Sequence, residues 1–164
     1  KIEGRMKSVH YCATVAKVYR TAIDAYLKEG KDWYVRPEWI AELEKISHRP
    51  YTDGFAEGRP DETAQNYGKS TNTQSHDFIG LVMGYNEEEK YVDLEQRNNF
   101  KVGDKVEFCQ PKGDLVETVI ENMTDEDGNP IDVAPHAQMK VRIYMDTPLE
   151  PYSMMRRECK PKED

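Results

Sequence analysis

Apolar residues near the start of the chain recur at helical spacing. Intervals of three or four residues separate six of them, which places them on one stripe of an α-helix. Ser8 suits an N-cap and Gly30 suits a helix end. The pattern therefore predicts a helix over residues 8–27, with Cys12 as a small buried side chain. The members of the stripe are Val9, Cys12, Ala16, Tyr19, Ile23 and Tyr26.

A second, shorter helix is predicted to begin near Pro37, which suits a first helical turn. Its apolar face consists of Trp39, Ile40, Leu43 and Ile46. Glycines and prolines then interrupt the pattern, and the polar run at 70–74 is typical of a connection. We place a domain boundary there, between residues 1–74 and residues 75–164.

The second part of the chain has the short alternating segments of β-strands. Five predicted strands cover residues 78–83, 91–95, 105–108, 115–120 and 139–143. Gly103, Gly113 and Gly128 mark turns between them. Alternation within 105–108 and 139–143 predicts one buried and one wet face. The expected fold is α+β: a helical neck followed by a small, closed antiparallel β-barrel.

Charge divides the chain in the same place. Residues 1–74 carry 12 Lys and Arg against 11 Asp and Glu, whereas residues 75–164 carry 11 against 20. The acidic second part disfavours unaided, nonspecific binding to a phosphate backbone. Cys12, Cys109 and Cys159 are few and widely spaced, which is typical of reduced thiols. With no apolar run of ~20 residues, we expect a soluble cytoplasmic protein without a membrane partner.

Several groups of residues resemble fragments of known sites. The acidic turn at 125–129 resembles part of a calcium loop, but His136 stands where the closing Glu is required, so a hairpin turn is favoured. Ser47, His48 and Asp53 lack the nucleophile turn of a hydrolase.

A zinc site is disfavoured because the histidines and cysteines lack ligand spacing. These residues are His10, Cys12, His48, His76 and His136. The sequence supports no metal site and no complete catalytic centre.

Two segments allow opposing interpretations. The stretch 49–55 could present Arg49 to a carboxylate or phosphate, or it could lock a helix against a neighbouring domain. Ile-Glu-Gly-Arg at residues 2–5 is native sequence or the protease site of an expression tag. Composition decides neither question.

These segments also carry a family resemblance. Residues 1–8, 10–15, 19–24 and 47–55 resemble the segment that leaves the catalytic domain in U32 peptidases. Residues 95–100, 102–104 and 127–136 follow in the family's order. The resemblance covers nearly the whole chain, and it implies that residues 1–5 are native.

The resemblance implies both a fold and a position for this chain within a larger enzyme. The family includes collagenase-like proteases and proteins of prephenate-dependent tRNA uridine hydroxylation that use an iron–sulfur cluster. Its Gly- and Cys-rich signature has no counterpart here, so residues 1–74 would be the end of a catalytic domain. Residues 75–164 would be a barrel similar to domain 2 of elongation factor Tu. Any cluster would lie in the missing domain, with no cofactor in this fragment.

We therefore expect an accessory region, inactive alone, that positions a protein or tRNA substrate for its own catalytic domain. The alternative is a purely structural or oligomerisation module. Part of the stripe on the first helix should be exposed for the missing domain to cover. If RNA is bound, the expected contacts are Arg49, Tyr51, Arg97, Arg142, Arg156 and Arg157.

Overall fold

The computed structural model describes residues 2–52, 54–56, 58–59 and 73–159. Helix α1 spans Val9–Glu29, a 3₁₀ turn spans Gly30–Asp32, and helix α2 spans Pro37–Glu44. We call these elements the neck. The predicted caps are confirmed: Tyr11 N donates to Ser8 Oγ at 3.3 Å, and Gly30 has φ +60°.

Helix α1 buries a different face from the predicted stripe. Its buried residues include Thr14, Val18 and Ala25, and the last two form a small core with Trp39 of α2. Short side chains on this face let α2 approach closely. Trp33 lies beside Trp39, with ring centroids 6.1 Å apart.

The predicted stripe faces outward instead. Val9, Tyr19, Ile23 and Tyr26 are between 48% and 56% exposed. Cys12 is exposed as well, so the prediction that it is buried was wrong. Periodicity identified a real stripe on α1, but the neck packs through the small residues beside it. The prediction that part of the stripe is exposed is confirmed.

Within the described residues 73–159, nine strands follow the neck. Their bounds are β1 His76–Asn86, β2 Tyr91–Gln96, β3 Phe100–Lys101, β4 Lys105–Cys109, β5 Val116–Val119, β6 Met123–Asp125, β7 Val133–Ala134, β8 Lys140–Tyr144 and β9 Met154–Glu158. Seven strands form an antiparallel sheet in the order β5-β4-β9-β1-β2-β8-β6, while β3 pairs with β7. The last strand, β9, thus lies between β4 and β1.

The sheet is a curled half-barrel, which corrects the expected closed barrel. Strands β5 and β6 are its two edges. Phe100 of β3 and Ala134 of β7 join the same fully buried core as Ile79 and Phe108. The β3–β7 pair therefore covers a part of the core that the wall of a closed barrel was expected to cover. A register shift between Val82 and Gly84 lies within the long strand β1, where bulges bend a sheet.

The predicted turns are confirmed. Gly103, Gly113 and Gly128 all have φ between +80° and +89°, where a side chain would be strained. Asp125 closes the acidic turn because its Oδ1 accepts from the backbone nitrogens of Asp127 and Asn129. Asp53 and the polar connection at 70–72 lie outside the described residues. Within the described ranges, neither helix is both long and apolar enough to span a bilayer.

Candidate functional site

The neck and the half-barrel have separate apolar cores. The neck core consists of Val18, Ala25 and Trp39 with their partly buried neighbours, and the half-barrel core contains none of them. Between the two lies a set of charged side chains, four of which we call the interface cluster: Glu42 and Lys45 from the neck, and Glu107 and Arg156 from the half-barrel.

Arg156 is the centre of the interface cluster. Strand β9 places its side chain under the neck, where it is 0% exposed. Its Nε donates to Glu107 Oε1 of β4 at 2.5 Å, and its Nη2 lies 2.8 Å and 2.6 Å from the two carboxylate oxygens of Glu42. One buried guanidinium therefore joins a strand of the half-barrel to α2, at a sequence separation of 114 residues.

Lys45 completes the interface cluster from the end of α2. Its Nζ donates to both oxygens of Glu107, at 2.9 and 3.1 Å, and lies 3.3 Å from Glu42 Oε2. The neck and the half-barrel thus each supply one acid and one base, and both carboxylates contact both cations. His76 Nε2 on β1 lies 3.5 Å from Glu107 Oε1.

The electrostatic environment favours the anionic form of the Glu107 carboxylate. Burial alone raises the pKa of Glu107, but the Lys45 hydrogen bond and the Arg156 charge outweigh it and hold that pKa below its usual value. Burial also lowers the pKa of His76 despite the neighbouring Glu107. At neutral pH the Glu107 carboxylate is therefore an anion, with a neutral His76 beside it.

His10 of α1 lies on the same interface. It is 3% exposed, and its ring stacks on Phe78 of β1 with centroids 5.6 Å apart. Burial, followed by the positive charge of Arg156, lowers its pKa to about 4. A neutral imidazole thus packs between the neck and the sheet, which is a structural role rather than that of a general base poised near neutrality.

A second contact joins α1 to the loop after β4. Lys17 Nζ donates to the carbonyl oxygens of Gln110 and Gly113 at 2.9 and 3.2 Å. Beside it, a groove of about 500 Å³ is lined mainly by apolar groups, including Ala16 and Met154. A second groove of about 510 Å³ opens next to the interface cluster. The first groove is lined by residues of both parts, whereas the second is lined by half-barrel residues together with Lys45.

The structure separates the residues predicted to bind RNA. Arg156 is enclosed in the interface cluster, so it would reach a substrate only if the interface opened. Arg97 pairs with Glu95 at 2.7 Å, and Arg157 pairs with Asp104 at 2.5 Å.

The other three predicted contacts lie on exposed or partly exposed surface. Arg142 lies over the Tyr91 ring, 5.0 Å from its centroid. Arg49 and Tyr51 are exposed beyond α2, and the Tyr51 ring stacks on His48 at 4.3 Å. Substrate contact by these residues stays a prediction.

The thiols lie on different elements. Cys12 is on α1, Cys109 is buried on β4, and Cys159 follows β9. Burial raises the pKa of Cys109, which opposes thiolate chemistry. In the part of the chain that the structure describes, no group of three or more His, Cys, Asp or Glu side chains could hold a metal ion. Among the described residues, Cys12, Cys109 and Cys159 do not form the group of cysteines that holds an iron–sulfur cluster.

Sequence reasoning missed the interface cluster. The alternation in β4 predicted a wet face for Glu107, yet this side chain is only 8% exposed because the neck covers it. The predicted pattern does hold in β8, where Val141 and Ile143 are buried. A buried charge leaves no periodic signal, so its partners could be found only from the fold.

Two family models match the chain. Residues 74–156 match the peptidase family U32 C-terminal domain, and residues 1–66 match peptidase family U32. The chain belongs to peptidase family U32.

Particular relatives carry two different names. tRNA hydroxylation protein P1 of Bacillus subtilis (strain 168) is 43% identical over 157 residues, which are 96% of this chain and 37% of that protein. A collagenase of Porphyromonas gingivalis is 27% identical over 128 residues, which are 77% of this chain and 35% of that protein. This chain thus spans little more than a third of either relative.

One solved structure is similar to about half of this chain. It is the C-terminal domain of a U32 peptidase of Geobacillus thermoleovorans, 44% identical, with a TM-score of 0.48. The match covers 49% of this chain and 99% of that one.

Proposed function

We propose that this chain is a noncatalytic accessory region that positions a protein or tRNA substrate for the catalytic domain of a U32-family enzyme. The exposed stripe on α1 carries the proposal. Its apolar side chains recur at intervals of three and four residues, yet they face away from the small core that α1 forms with α2. A stripe of this kind is suited to receiving another apolar surface.

We propose that the exposed stripe on α1 is covered by the catalytic domain of the longer family proteins. The neck matches the U32 family separately from the half-barrel, and the relatives are longer than this chain. Leu27 widens the stripe beside Tyr26 and Ile23, all of them at least 48% exposed. The catalytic domain would then hold the neck, and the neck would hold the half-barrel near the substrate.

The name of the B. subtilis relative favours tRNA over protein as the substrate. The partly exposed cation of Arg142, held between the buried Tyr91 ring and Asp93, offers a contact to phosphate. The rest of the half-barrel is strongly acidic, so such contacts would be local.

We further propose that an iron–sulfur cluster belongs to the catalytic domain. We also propose that the location is cytoplasmic, and that the half-barrel is related to domain 2 of elongation factor Tu.

Deletion in a full-length relative tests the role. The segment aligning with residues 74–156 would be removed from the B. subtilis protein, and tRNA affinity and melting temperature would both be measured. Weaker tRNA binding at an unchanged melting temperature supports positioning. Unchanged affinity with a lower melting temperature would refute it and favour the purely structural module.

Self-association is the competing use of the stripe. Its spacing of three and four residues would also suit a helix from a second copy. Sedimentation of this chain and of an Ile23→Gln variant separates the two occupants. A monomer in both supports docking of the catalytic domain, whereas a dimer that Ile23→Gln disrupts would support oligomerisation.

A further inference from the structure

We infer that the interface cluster is an orientation latch, by which we mean that it fixes the orientation of the half-barrel on the neck. Glu42 of α2 and Lys45 at its C-cap pair with Arg156 and Glu107 of the half-barrel. The inference goes beyond the proposed function because it concerns a device in the fold, whichever substrate the longer protein acts on.

The first argument is the separation of the two apolar cores. A single merged core would hold the neck and the half-barrel together through nonpolar burial, but here each part has its own. The contacts that cross between them include the interface cluster, the Lys17 hydrogen bonds and the His10–Phe78 stack. Polar contacts therefore cross the interface in addition to any apolar packing there.

The second argument is the arrangement of charge. Each side presents one acid and one base, so Arg156 meets Glu42 while Lys45 meets Glu107. A rotation or slide of the half-barrel on the neck would leave buried charges unpaired, and an unpaired buried charge costs far more than an exposed one. Apolar surfaces can slide at small cost, whereas this arrangement specifies one orientation.

The third argument is burial. Arg156 is 0% exposed and Glu107 is 8% exposed, so both cations and carboxylates interact with little screening by solvent. Exposed pairs such as Lys140–Glu126, at 3.2 Å, are screened and contribute little to orientation. Burial, rather than the number of ion pairs, distinguishes the interface cluster from these exposed pairs.

The chain supplies its own probes for a test. Both tryptophans, Trp33 and Trp39, lie in the neck, and residues 75–164 contain none. Tryptophan fluorescence therefore reports the neck alone, while far-ultraviolet circular dichroism reports the helices of the neck and the strands of the half-barrel together. Urea unfolding of the whole chain, followed by both signals, shows whether the two parts unfold together.

Arg156→Met should split the two transitions, because it removes the central cation and leaves Glu42 and Glu107 to share Lys45. We expect the fluorescence midpoint to fall by about 1 M urea, with a smaller change in the dichroism midpoint. Glu42→Gln, which alters only the neck side, should split them in the same sense. The double variant leaves Lys45 and Glu107 as a balanced pair, so its split should be smaller than the sum of the single effects.

Arg157→Met is the matched control. It removes the neighbouring arginine of β9, whose partner Asp104 lies within the half-barrel, so both midpoints should move together. Coincident transitions in both Arg156→Met and Glu42→Gln would overturn the inference, as would an equal split in Arg157→Met. If Arg156→Met does not fold, Glu42→Gln decides alone: a split supports the latch and coincidence refutes it.

Discussion

At the scale of single residues, His10 makes stability depend on pH. Its folded-state pKa is about 4 because it is buried near Arg156, whereas an unfolded histidine titrates near 6.5. Between these values the unfolded chain binds more protons, so stability is present above about pH 6.5 and is lost as pH falls through 4. A shift of this size corresponds to about 3 kcal/mol.

The prediction is that His10→Gln flattens this pH dependence. Urea unfolding at pH 7 and at pH 4.5 would show a smaller difference for the variant than for the wild type. The variant should still lose some stability at low pH, because Glu107 and His76 also have lowered pKa values and act in the same direction. Identical pH profiles for both proteins would contradict the assignment.

Asp125 offers a second residue-scale prediction. Its carboxylate is already used by hydrogen bonds from Asp127 and Asn129, which hold its pKa below the usual value. Asp125→Ala should lower the melting temperature because the turn loses those bonds. Millimolar calcium should leave the wild-type melting temperature unchanged, and a calcium-dependent rise would revive the calcium-loop interpretation.

At the scale of elements, the two faces of α1 should respond differently to truncation. Val18→Ala opens space in the neck core and should cost about 2 kcal/mol of unfolding free energy. Ile23 lies on the exposed stripe, so Ile23→Ala should change the unfolding free energy by less than about 0.5 kcal/mol. Tryptophan fluorescence during urea unfolding measures both. Equal costs would mean that the stripe is covered within this chain.

Elements with a local signal could be predicted, and those that depend on distant partners could not. The bounds of α1 and its caps followed from Ser8, Gly30 and the apolar spacing, yet the choice of buried face depends on α2. Strand β9 was missed because Met154, Met155 and Arg156 are all buried, so the segment shows no alternation and contains no β-branched residue. The half-barrel core covers one face of β9, where Met155 lies, and the neck covers the other, where Arg156 contacts Glu42.

At the scale of the whole molecule, the neck and the half-barrel pair charges across their interface without changing the net charge of either part. Lys45 and Arg156 neutralise Glu42 and Glu107 across the interface, while the remaining negative charge of residues 75–164 faces mostly solvent. The pairing joins positions 114 residues apart, which no local pattern in the sequence could reveal. Orientation of the half-barrel is thus a property of the whole chain.

The same charge balance predicts how stability depends on salt. Raising NaCl from about 10 mM to about 100 mM shortens the screening length from ~30 Å to ~10 Å. Repulsion within a chain of net charge −8 should weaken, while the buried interface cluster is screened much less. The urea midpoints of both fluorescence and dichroism should therefore rise, and KCl in place of NaCl controls for effects of a particular cation. A falling midpoint would show that exposed pairs such as Lys105–Glu117 contribute more than the repulsion costs.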